Sequence, residues 1–479
     1  MNSSQLQLFL RKPLLALQTV SMRILMHRSL ILIMAALQLI WLLLIAVTGA
    51  STQYDRMLTV AIFSVVAIIA VTLLPGSAIS KIRSLKSRLL SSEKQLVLFL
   101  CLVALLVGFL YSTIQTQWTD EIASLKAAKT INSQGLIHAY KTVGWLGEQH
   151  PPLFSLIFAL TLKLPGPDLL LMRMVSVLFL AGTLSVTYFI GRELYSREIG
   201  YLAAILLLSF PLVIRLSSAA MMDIQLAFFF CFALLLLIRL SKTPSYWLAC
   251  ATGTVIGLGL LTKYIMIFVF LVLFSCFLFC KNFQKIVIHM LVAGMVSLSV
   301  FSVWILYANH TGILARQFQK ILNFTGSYHL VRDVVETSPI AQPQTMTETE
   351  SVDAAEQMQN GIFRLGLESL FTRIPSSLGV YHAPLILFGL LSLLKRRQPA
   401  DLMILLWIGA VSLSLFITLP DHRYFLPIFP AIAIVIAHVL LRFPDYAERA
   451  ILVSLLFGAG NLYLFANWLR ESHLFLLTP

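Results

Sequence analysis

Long runs of apolar residues recur along almost the whole chain, separated by shorter polar stretches. Most runs have about 17 to 25 residues, the length at which a helix crosses roughly 30 Å of hydrocarbon. None of them alternates apolar and polar residues at period two, as the strands of a membrane barrel do. The pattern therefore predicts an all-α, polytopic integral membrane protein.

Thirteen of the runs are predicted to be transmembrane helices from their length and their polar flanks. They cover residues 30–48, 57–75, 95–113, 169–190, 199–216, 223–240, 246–262, 264–280, 286–308, 376–394, 401–419, 425–441 and 450–467. A further apolar run, 151–164, is too short to cross comfortably, and we predict that it is interfacial or re-entrant.

Lys and Arg residues set the orientation, because they collect in short loops on the cytoplasmic side of membrane proteins. If 151–164 crossed, Arg192 and Arg197 would face outward against this rule, and Asp223 would lie opposite Asp120. Without that crossing the N-terminus is cytoplasmic, and segments 114–168 and 309–375 lie outside. We therefore expect a multi-pass protein of the plasma (inner) membrane.

This topology divides the chain into four segments. Residues 1–94 form a cytoplasmic lead and two transmembrane helices, and 95–308 form the transmembrane core with its outer loop 114–168. That loop contains amphipathic helical stretches suited to the headgroup plane. Residues 309–375 form a long outer loop, expected to be a partly disordered lid because its middle is polar and rich in Thr, Glu, Gln and Pro. Residues 376–479 supply the C-terminal helices.

Composition excludes a water-soluble globule, since 58% of the 479 residues are hydrophobic and 12% are charged. The formal net charge of +14 favours orientation and contact with anionic membrane lipids rather than nucleic acid, because no soluble basic stretch is interleaved with aromatics. The five cysteines lie in apolar runs and behave as small hydrophobes. The first apolar run follows a basic lead without a cleavage pattern, so we expect an uncleaved anchor.

Two acidic sites are candidates for chemistry. Asp120 and Glu121 follow a predicted span directly, at the start of an amphipathic helix. Acidic residues there could equally cap the helix and interact with its dipole. Asp223 opens a strongly apolar helix, where an ionised carboxylate is costly and a functional role is favoured. The predicted topology places both sites on the outer face.

Cationic candidates lie at the same face. His150 precedes two prolines, Lys263 ends an outgoing helix, Arg423 precedes Tyr424, and Arg173 lies just inside a span. Snorkelling is an alternative explanation for the lysine, and an ordinary hydrogen bond is one for the histidine. An acid that activates an incoming hydroxyl, together with cations that neutralise a departing phosphate, is the combination needed for transfer from a phosphate-activated donor.

The order of these motifs resembles glycosyltransferase superfamily C. The likeness includes Asp120-Glu121, His150-Pro-Pro-Leu, Arg173 before a helix that ends in Gly-Arg-Glu-Leu, Ala-Ala-Met-Met-Asp223 and Leu-Thr-Lys263-Tyr. It is greatest for the branch of protein O-mannosyltransferases and the lipid A aminoarabinose transferase. It covers about residues 95 to 300, and the segment of Arg423 and Tyr424 matches more loosely.

The resemblance implies a hexosyl- or pentosyltransferase of cell-envelope glycans that uses a polyprenyl or dolichyl phosphate sugar at the extracytoplasmic face, with inversion. It makes 95–308 the catalytic core. Asp120 would be the general base with Glu121 beside it, and Asp223 would hold the acceptor or a metal. The donor phosphate would bind His150, Lys263, Arg423 and Tyr424.

Several alternatives stay open from the sequence. A transporter or flippase of lipid-linked sugars would also need charges around an outward cavity, although no internal repeat is evident. A non-catalytic subunit of a glycan-assembly complex is a third class. The acceptor could be a lipid, a glycan or a protein. No obligatory metal is expected, although a divalent cation could bind the two carboxylates and the histidine.

Overall fold

The computed structural model describes residues 92–115, 117–144, 146, 150–273, 283–314, 378, 382–417 and 422–442. Nearly all of them belong to one compact unit of the chain, Leu96–Arg442. The regular structure in these residues is helical throughout. In chain order the α-helices are α1 (Glu93–Ile114), α2 (Thr119–Gln134), α3 (Leu136–Thr142), α4 (Leu153–Thr161), α5 (Asp168–Leu194), α6 (Arg197–Leu206), α7 (Pro211–Ser217), α8 (Met222–Lys242), α9 (Tyr246–Thr262), α10 (Val269–Leu273), α11 (Phe283–His310), α12 (Ala383–Arg396), α13 (Pro399–Ile417) and α14 (Phe429–Leu440).

The prediction of an all-α membrane protein is confirmed by the long apolar helices. By length and composition, five helices of the described residues could cross a membrane, or six if the bent pair of α6 and α7 forms one span. The predicted spans 30–48, 57–75 and 450–467 lie outside the described residues, as does nearly all of the predicted lid. The total of thirteen helices therefore stays a prediction.

The predicted span 199–216 is not one straight helix. It consists of α6, a 3₁₀ turn at Leu207–Ser209, and α7, with a bend of 75° between the two parts. Pro211 explains the break, because it cannot donate a helical hydrogen bond and keeps the preceding residue out of the helical region. Phe210 is accordingly extended, with φ −87° and ψ 120°.

Two other predicted spans begin with 3₁₀ helices rather than α-helices. The segment Tyr264–Phe268 precedes α10, and the segment His422–Ile428 precedes α14. The second contains Pro427, which removes one backbone donor from the regular α-helical ladder. Both irregular segments lie beside charged residues of the candidate site described below.

The short apolar run 151–164 contains only the nine-residue helix α4. At 1.5 Å per residue α4 is about 14 Å long, far less than the hydrocarbon thickness. It packs against α2, where Asn132 Nδ2 donates a hydrogen bond to Ala159 O at 2.7 Å. Phe154 and Phe158 are buried together with Tyr140 of α3. Helices α2, α3 and α4 thus form a small layer, consistent with an interfacial position for this run.

Helix α8 lies at the centre of the bundle, because 83% of its most apolar 18-residue stretch is buried. The corresponding fractions for α1 and α11 are 28% and 22%, so these helices present their apolar faces outward, as lipid-facing helices do. Helices α5 and α6 approach by their backbones, since a Cβ built on Gly191 would lie 2.6 Å from Gly200 Cα. A larger residue at either glycine would force the two helices apart.

A buried acidic residue joins the α5–α6 turn to the α12–α13 turn, at the end of the bundle where α5 ends. The side chain of Asp401 is fully buried and accepts hydrogen bonds from Arg396 Nε at 2.7 Å and Tyr195 Oη at 2.8 Å. Arg396 Nη2 and the Gln398 backbone N–H also donate to it, the latter at 3.1 Å. Burial and the bond to Asp401 raise the pKa of Tyr195 well above its ordinary value, so its hydroxyl remains a donor.

We expect Asp401→Ala to lower the free energy of unfolding by about 3 kcal/mol, because the change leaves the Arg396 guanidinium and the Tyr195 hydroxyl without their acceptor. Thermal unfolding of the full-length chain in detergent would show a lower Tm. Glu198→Ala is the matched control, because Glu198 is exposed on α6. Equal melting of both variants would show that the network contributes nothing to stability.

Candidate active site

The candidate site lies at the end of the bundle where α5 and α8 begin, beside the α2–α4 layer. The short connection from α1 to α2 positions its first carboxylates. Trp118 is extended, with φ −90° and ψ 153°, and therefore ends the linker and starts α2. Its backbone N–H donates to Glu121 Oε2 at 3.1 Å, so the Glu121 side chain supplies one half of a capping box.

Glu121 is completely buried and forms a bidentate ion pair with Arg173 of α5. Arg173 Nε donates to Oε1 and Arg173 Nη2 to Oε2, both at 2.8 Å. The Ala220 backbone N–H, just before α8, donates to Oε1 at 2.7 Å. The guanidinium also reaches back to α1, where Nη1 donates to Ser112 O at 2.6 Å. Glu121 therefore ties four parts of the fold together and is withdrawn from the surface.

Asp120 has the opposite environment. Its side chain is 29% exposed and forms an ion pair with Arg423, whose side chain is 23% exposed. Arg423 belongs to the 3₁₀ helix His422–Ile428, 303 residues further along the chain. Of the adjacent acidic residues, Asp120 is thus the one that a substrate can reach.

The second predicted carboxylate, Asp223, lies in the first turn of α8 and is 2% exposed. Lys263 Nζ donates to its Oδ1 at 2.7 Å. Lys263 occupies the extended link between α9 and the 3₁₀ segment Tyr264–Phe268, with φ −160° and ψ 137°. This break in the helix directs the lysine towards α8 instead of continuing the α-helical course.

Tyr424 connects the two carboxylate sites. Lys263 Nζ lies 4.2 Å from the centroid of the Tyr424 ring, which is within cation–π distance. Tyr424 is adjacent to Arg423, the partner of Asp120. The continuous series Asp120, Arg423, Tyr424, Lys263 and Asp223 therefore brings together five residues that the sequence predicts for the site. Both carboxylates lie at the same end of the bundle.

His150 packs into the neighbouring α2–α4 layer. Its side chain is largely buried, and its ring meets Phe154 edge-on at a centroid distance of 5.7 Å. Its backbone carbonyl accepts a hydrogen bond from Tyr140 Oη at 2.9 Å. Burial raises the pKa of Tyr140 well above its ordinary value, which keeps the hydroxyl a donor. The predicted contact of His150 with a donor phosphate stays a prediction.

The sequence did not lead us to predict that Arg215 belongs near the site or that it stacks on Trp118. Its guanidinium carbon lies 4.3 Å from the centroid of the Trp118 ring. The signal was available, because Arg215 is a charged residue inside the predicted span 199–216 and such residues are rare without a role. The pairing of Arg173 with Glu121 was also missed, because a pattern of single residues does not identify partners from different helices.

In the described part of the chain, no group of three or more His, Cys, Asp and Glu side chains is arranged to hold a metal ion. Asp120 and Asp223 each have a basic partner instead. Chemically, the site offers a reachable carboxylate for a hydroxyl proton and cations for a phosphate.

A family model described as "Dolichyl-phosphate-mannose-protein mannosyltransferase" matches residues 149–307. This range includes His150, Arg173, Asp223 and Lys263, whereas Asp120 lies before it. No curated protein sequence matches the chain.

Among solved structures, the apo crystal structure of ArnT from Cupriavidus metallidurans matches at 17% identity with a TM-score of 0.50, over 72% of this chain and 60% of ArnT. The oligosaccharyltransferase AglB from Archaeoglobus fulgidus, in complex with an inhibitory peptide and a dolichol-phosphate, matches at 13% identity with a TM-score of 0.49, over 78% of this chain and 55% of AglB. The chain thus spans less than two thirds of either protein.

The ArnT comparison shows that the fold is shared, and the family model matches the segment that contains four of the residues singled out in the sequence. The resemblance to glycosyltransferase superfamily C indicated by the motifs is confirmed.

Proposed function

We propose that the protein is a membrane glycosyltransferase that moves a sugar from a polyprenyl or dolichyl phosphate to an acceptor hydroxyl at the extracytoplasmic face. The observation that carries the proposal is the series from Asp120 through Arg423, Tyr424 and Lys263 to Asp223. It combines a reachable carboxylate with two cations at one end of the bundle. The dolichyl-phosphate-mannose in the description of the family model supports a lipid phosphate sugar as the donor.

In the proposed reaction Asp120 accepts the proton of the acceptor hydroxyl. The hydroxyl oxygen attacks the anomeric carbon, and the bond from that carbon to the phosphate oxygen breaks. The lipid phosphate leaves with the bonding electrons, while Lys263 and Arg423 neutralise its charge. The sugar passes through an oxocarbenium-like state, and a single displacement inverts the anomeric centre.

The ion pairs of the free site suggest how donor binding prepares the base. Arg423 is partly exposed and can turn from Asp120 to a phosphate, which accepts two parallel N–H bonds from a guanidinium. This exchange frees Asp120 for the acceptor hydroxyl. Lys263 is less exposed and holds the Asp223 side chain in place at the start of α8. Binding of the donor thus moves Arg423 to the phosphate and releases Asp120 in the same step.

Sidedness also favours this assignment. The charged residues of the site lie at the end where α5 and α8 begin, and the basic Arg192, Arg239 and Lys242 lie near the other ends of these helices. The positive-inside rule places that basic end in the cytoplasm. The site then faces outward, at the interface where a lipid-linked sugar presents its head group.

The test is an assay of membranes that contain the full-length chain, supplied with radiolabelled polyprenyl phosphate sugars of several kinds. Movement of label from the lipid to a second molecule, absent from membranes without the chain, would support transfer. A transporter or flippase would leave the label on the lipid and change only its accessibility to a reagent outside the membrane. A preparation that never moves label from any donor would overturn the proposal.

For the same assay we expect Arg423→Gln to raise the KM for the donor by about 10- to 100-fold. The reason is the loss of a charge-assisted hydrogen bond to the phosphate, worth about 1.5–3 kcal/mol. We expect kcat to fall as well, because the same cation neutralises the departing phosphate. Arg197→Gln is the control, because Arg197 is exposed at the opposite end of the bundle. An unchanged donor KM in Arg423→Gln would show that Arg423 does not bind the phosphate.

A further inference from the structure

A second group of polar side chains lies beside the candidate site and is not used by the proposed reaction. It consists of Gln115 and Trp118, from the connection between α1 and α2, and Arg215 and Ser218, from the end of α7. Arg215 stacks on the Trp118 ring, and Ser218 Oγ donates to Gln115 Oε1 at 2.5 Å. We call these four residues the Trp118 cluster.

Two N–H groups in the Trp118 cluster are buried without an acceptor. Trp118 Nε1 and Gln115 Nε2 have no hydrogen-bond partner within the described structure. An indole N–H can only donate, so only an added acceptor can supply its missing hydrogen bond. Leaving a buried donor unsatisfied costs about 1–3 kcal/mol, so an acceptor that reached these two N–H groups would be stabilised there.

The charges around the Trp118 cluster favour an anion as that acceptor. The nearby carboxylate of Glu121 is held by Arg173 at 2.8 Å, and the guanidinium of Arg215 lies over the Trp118 ring. A carboxylate or phosphate would accept from the indole and amide N–H groups and face a guanidinium. Arginine is well suited to such oxyanions because its donors form a planar fork.

From these observations we propose that the Trp118 cluster binds an acidic group, a carboxylate or a phosphate, of the acceptor substrate. The inference rests on the proposed transferase function and specifies its acceptor. A lipid phosphate sugar carries a single phosphate, which the proposed mechanism assigns to Lys263 and Arg423. A separate anion-binding cluster therefore serves the other substrate. Trp118 lies two residues before the base Asp120, so an acid group bound there holds an acceptor beside it.

The experiment observes binding directly and needs neither donor nor turnover. The full-length chain with ¹⁵N-labelled tryptophan is studied in detergent, and the Trp118 indole resonance is identified by its loss in Trp118→Phe. Inorganic phosphate, dodecyl phosphate, dodecanoate and the neutral dodecyl maltoside are titrated separately. We expect a saturable shift of the Trp118 resonance with at least one anionic probe and none with the neutral amphiphile.

Variants of Arg215 distinguish a site from general charge attraction. We expect Arg215→Gln to weaken the apparent affinity by about tenfold or more, whereas Arg215→Lys should retain part of it. Arg442→Gln, near the other end of the bundle, should leave the titration unchanged. A response to inorganic phosphate would show that the anionic group alone is sufficient for binding. A response to dodecyl phosphate or dodecanoate but not to inorganic phosphate would show that the bound anion belongs to a membrane-borne molecule.

The proposal is overturned if no anionic probe shifts the resonance, if the neutral amphiphile shifts it equally, or if Arg215→Gln titrates like the unmodified chain. These outcomes are separate from failure of the transferase proposal. A chain that binds the anion but never transfers sugar would contradict the proposed function and leave an anion site. Transfer without anion binding would contradict only the assignment of the acceptor.

Discussion

Asparagine in place of Asp120 is expected to lower kcat for sugar transfer by about 10²- to 10⁴-fold, which is the usual contribution of a positioned general base. Asparagine keeps the size of the side chain but cannot accept the proton of the acceptor hydroxyl. The carboxylate is 29% exposed, so its replacement does not leave a buried cavity or a fully buried partner. The rate would be measured in membranes with a saturating radiolabelled lipid phosphate sugar.

Asp168→Asn is the matched control for this change. Asp168 begins α5 at the same end of the bundle and forms an exposed ion pair with Lys129 at 2.7 Å, so it shares the charge and the sidedness of Asp120. We expect its transfer rate to remain within about twofold of that of the unmodified chain, since exposed ion pairs contribute little. If Asp120→Asn transferred sugar as fast as this control, Asp120 would not be the base.

Hydropathy and loop charge were enough to predict that the residues of the site lie at the same end of the helices. The two carboxylates were expected at one face because 151–164 is too short to cross, and the structure places both at one end of the bundle. The sequence could not predict which partner each charge takes. The ion pair of Asp120 with Arg423 joins residues 303 positions apart, and such a pairing depends on how the helices pack.

The irregular backbone near the site was also hidden from the hydropathy pattern. An apolar run looks the same whether it is an α-helix or begins with a 3₁₀ helix, so 264–280 and 425–441 were predicted as plain helices. Pro211 and Pro427 gave local signals for a break, but hydropathy outweighed them when spans were assigned. These breaks position Lys263 and Arg423, which shows that departures from the regular pattern coincide with the site.

Glu121 illustrates a different limit. Its position beside Asp120 suggested a shared catalytic role, whereas its two oxygens are occupied by the Arg173 guanidinium and two backbone N–H groups. We propose that Glu121 is a positioning residue. It fixes the first turn of α2 against α5 and α8 and thereby holds Asp120 next to it in the correct place. The sequence could not reveal this, because adjacent residues of a helix point in different directions.

Breaking this pair is expected to have a large effect on both stability and transfer. Glu121→Gln and Arg173→Gln should each lower the free energy of unfolding by about 3–5 kcal/mol, because each leaves a buried charge without its partner. The double variant removes both charges, so it should be more stable than the sum of the two single effects predicts. Thermal unfolding in detergent of the unmodified chain, the two single variants and the double variant gives the coupling energy between Glu121 and Arg173.

Transfer kinetics separate positioning from stability alone. At a temperature where all four chains stay folded, we expect kcat to fall by about tenfold or more in each variant, including the double variant, with little change in the donor KM. The reason is that small displacements of a catalytic group are costly, while the cations that bind the donor are unaltered. Recovery of kcat together with stability in the double variant would show that the pair supports only the fold, and that Asp120 is held by other contacts.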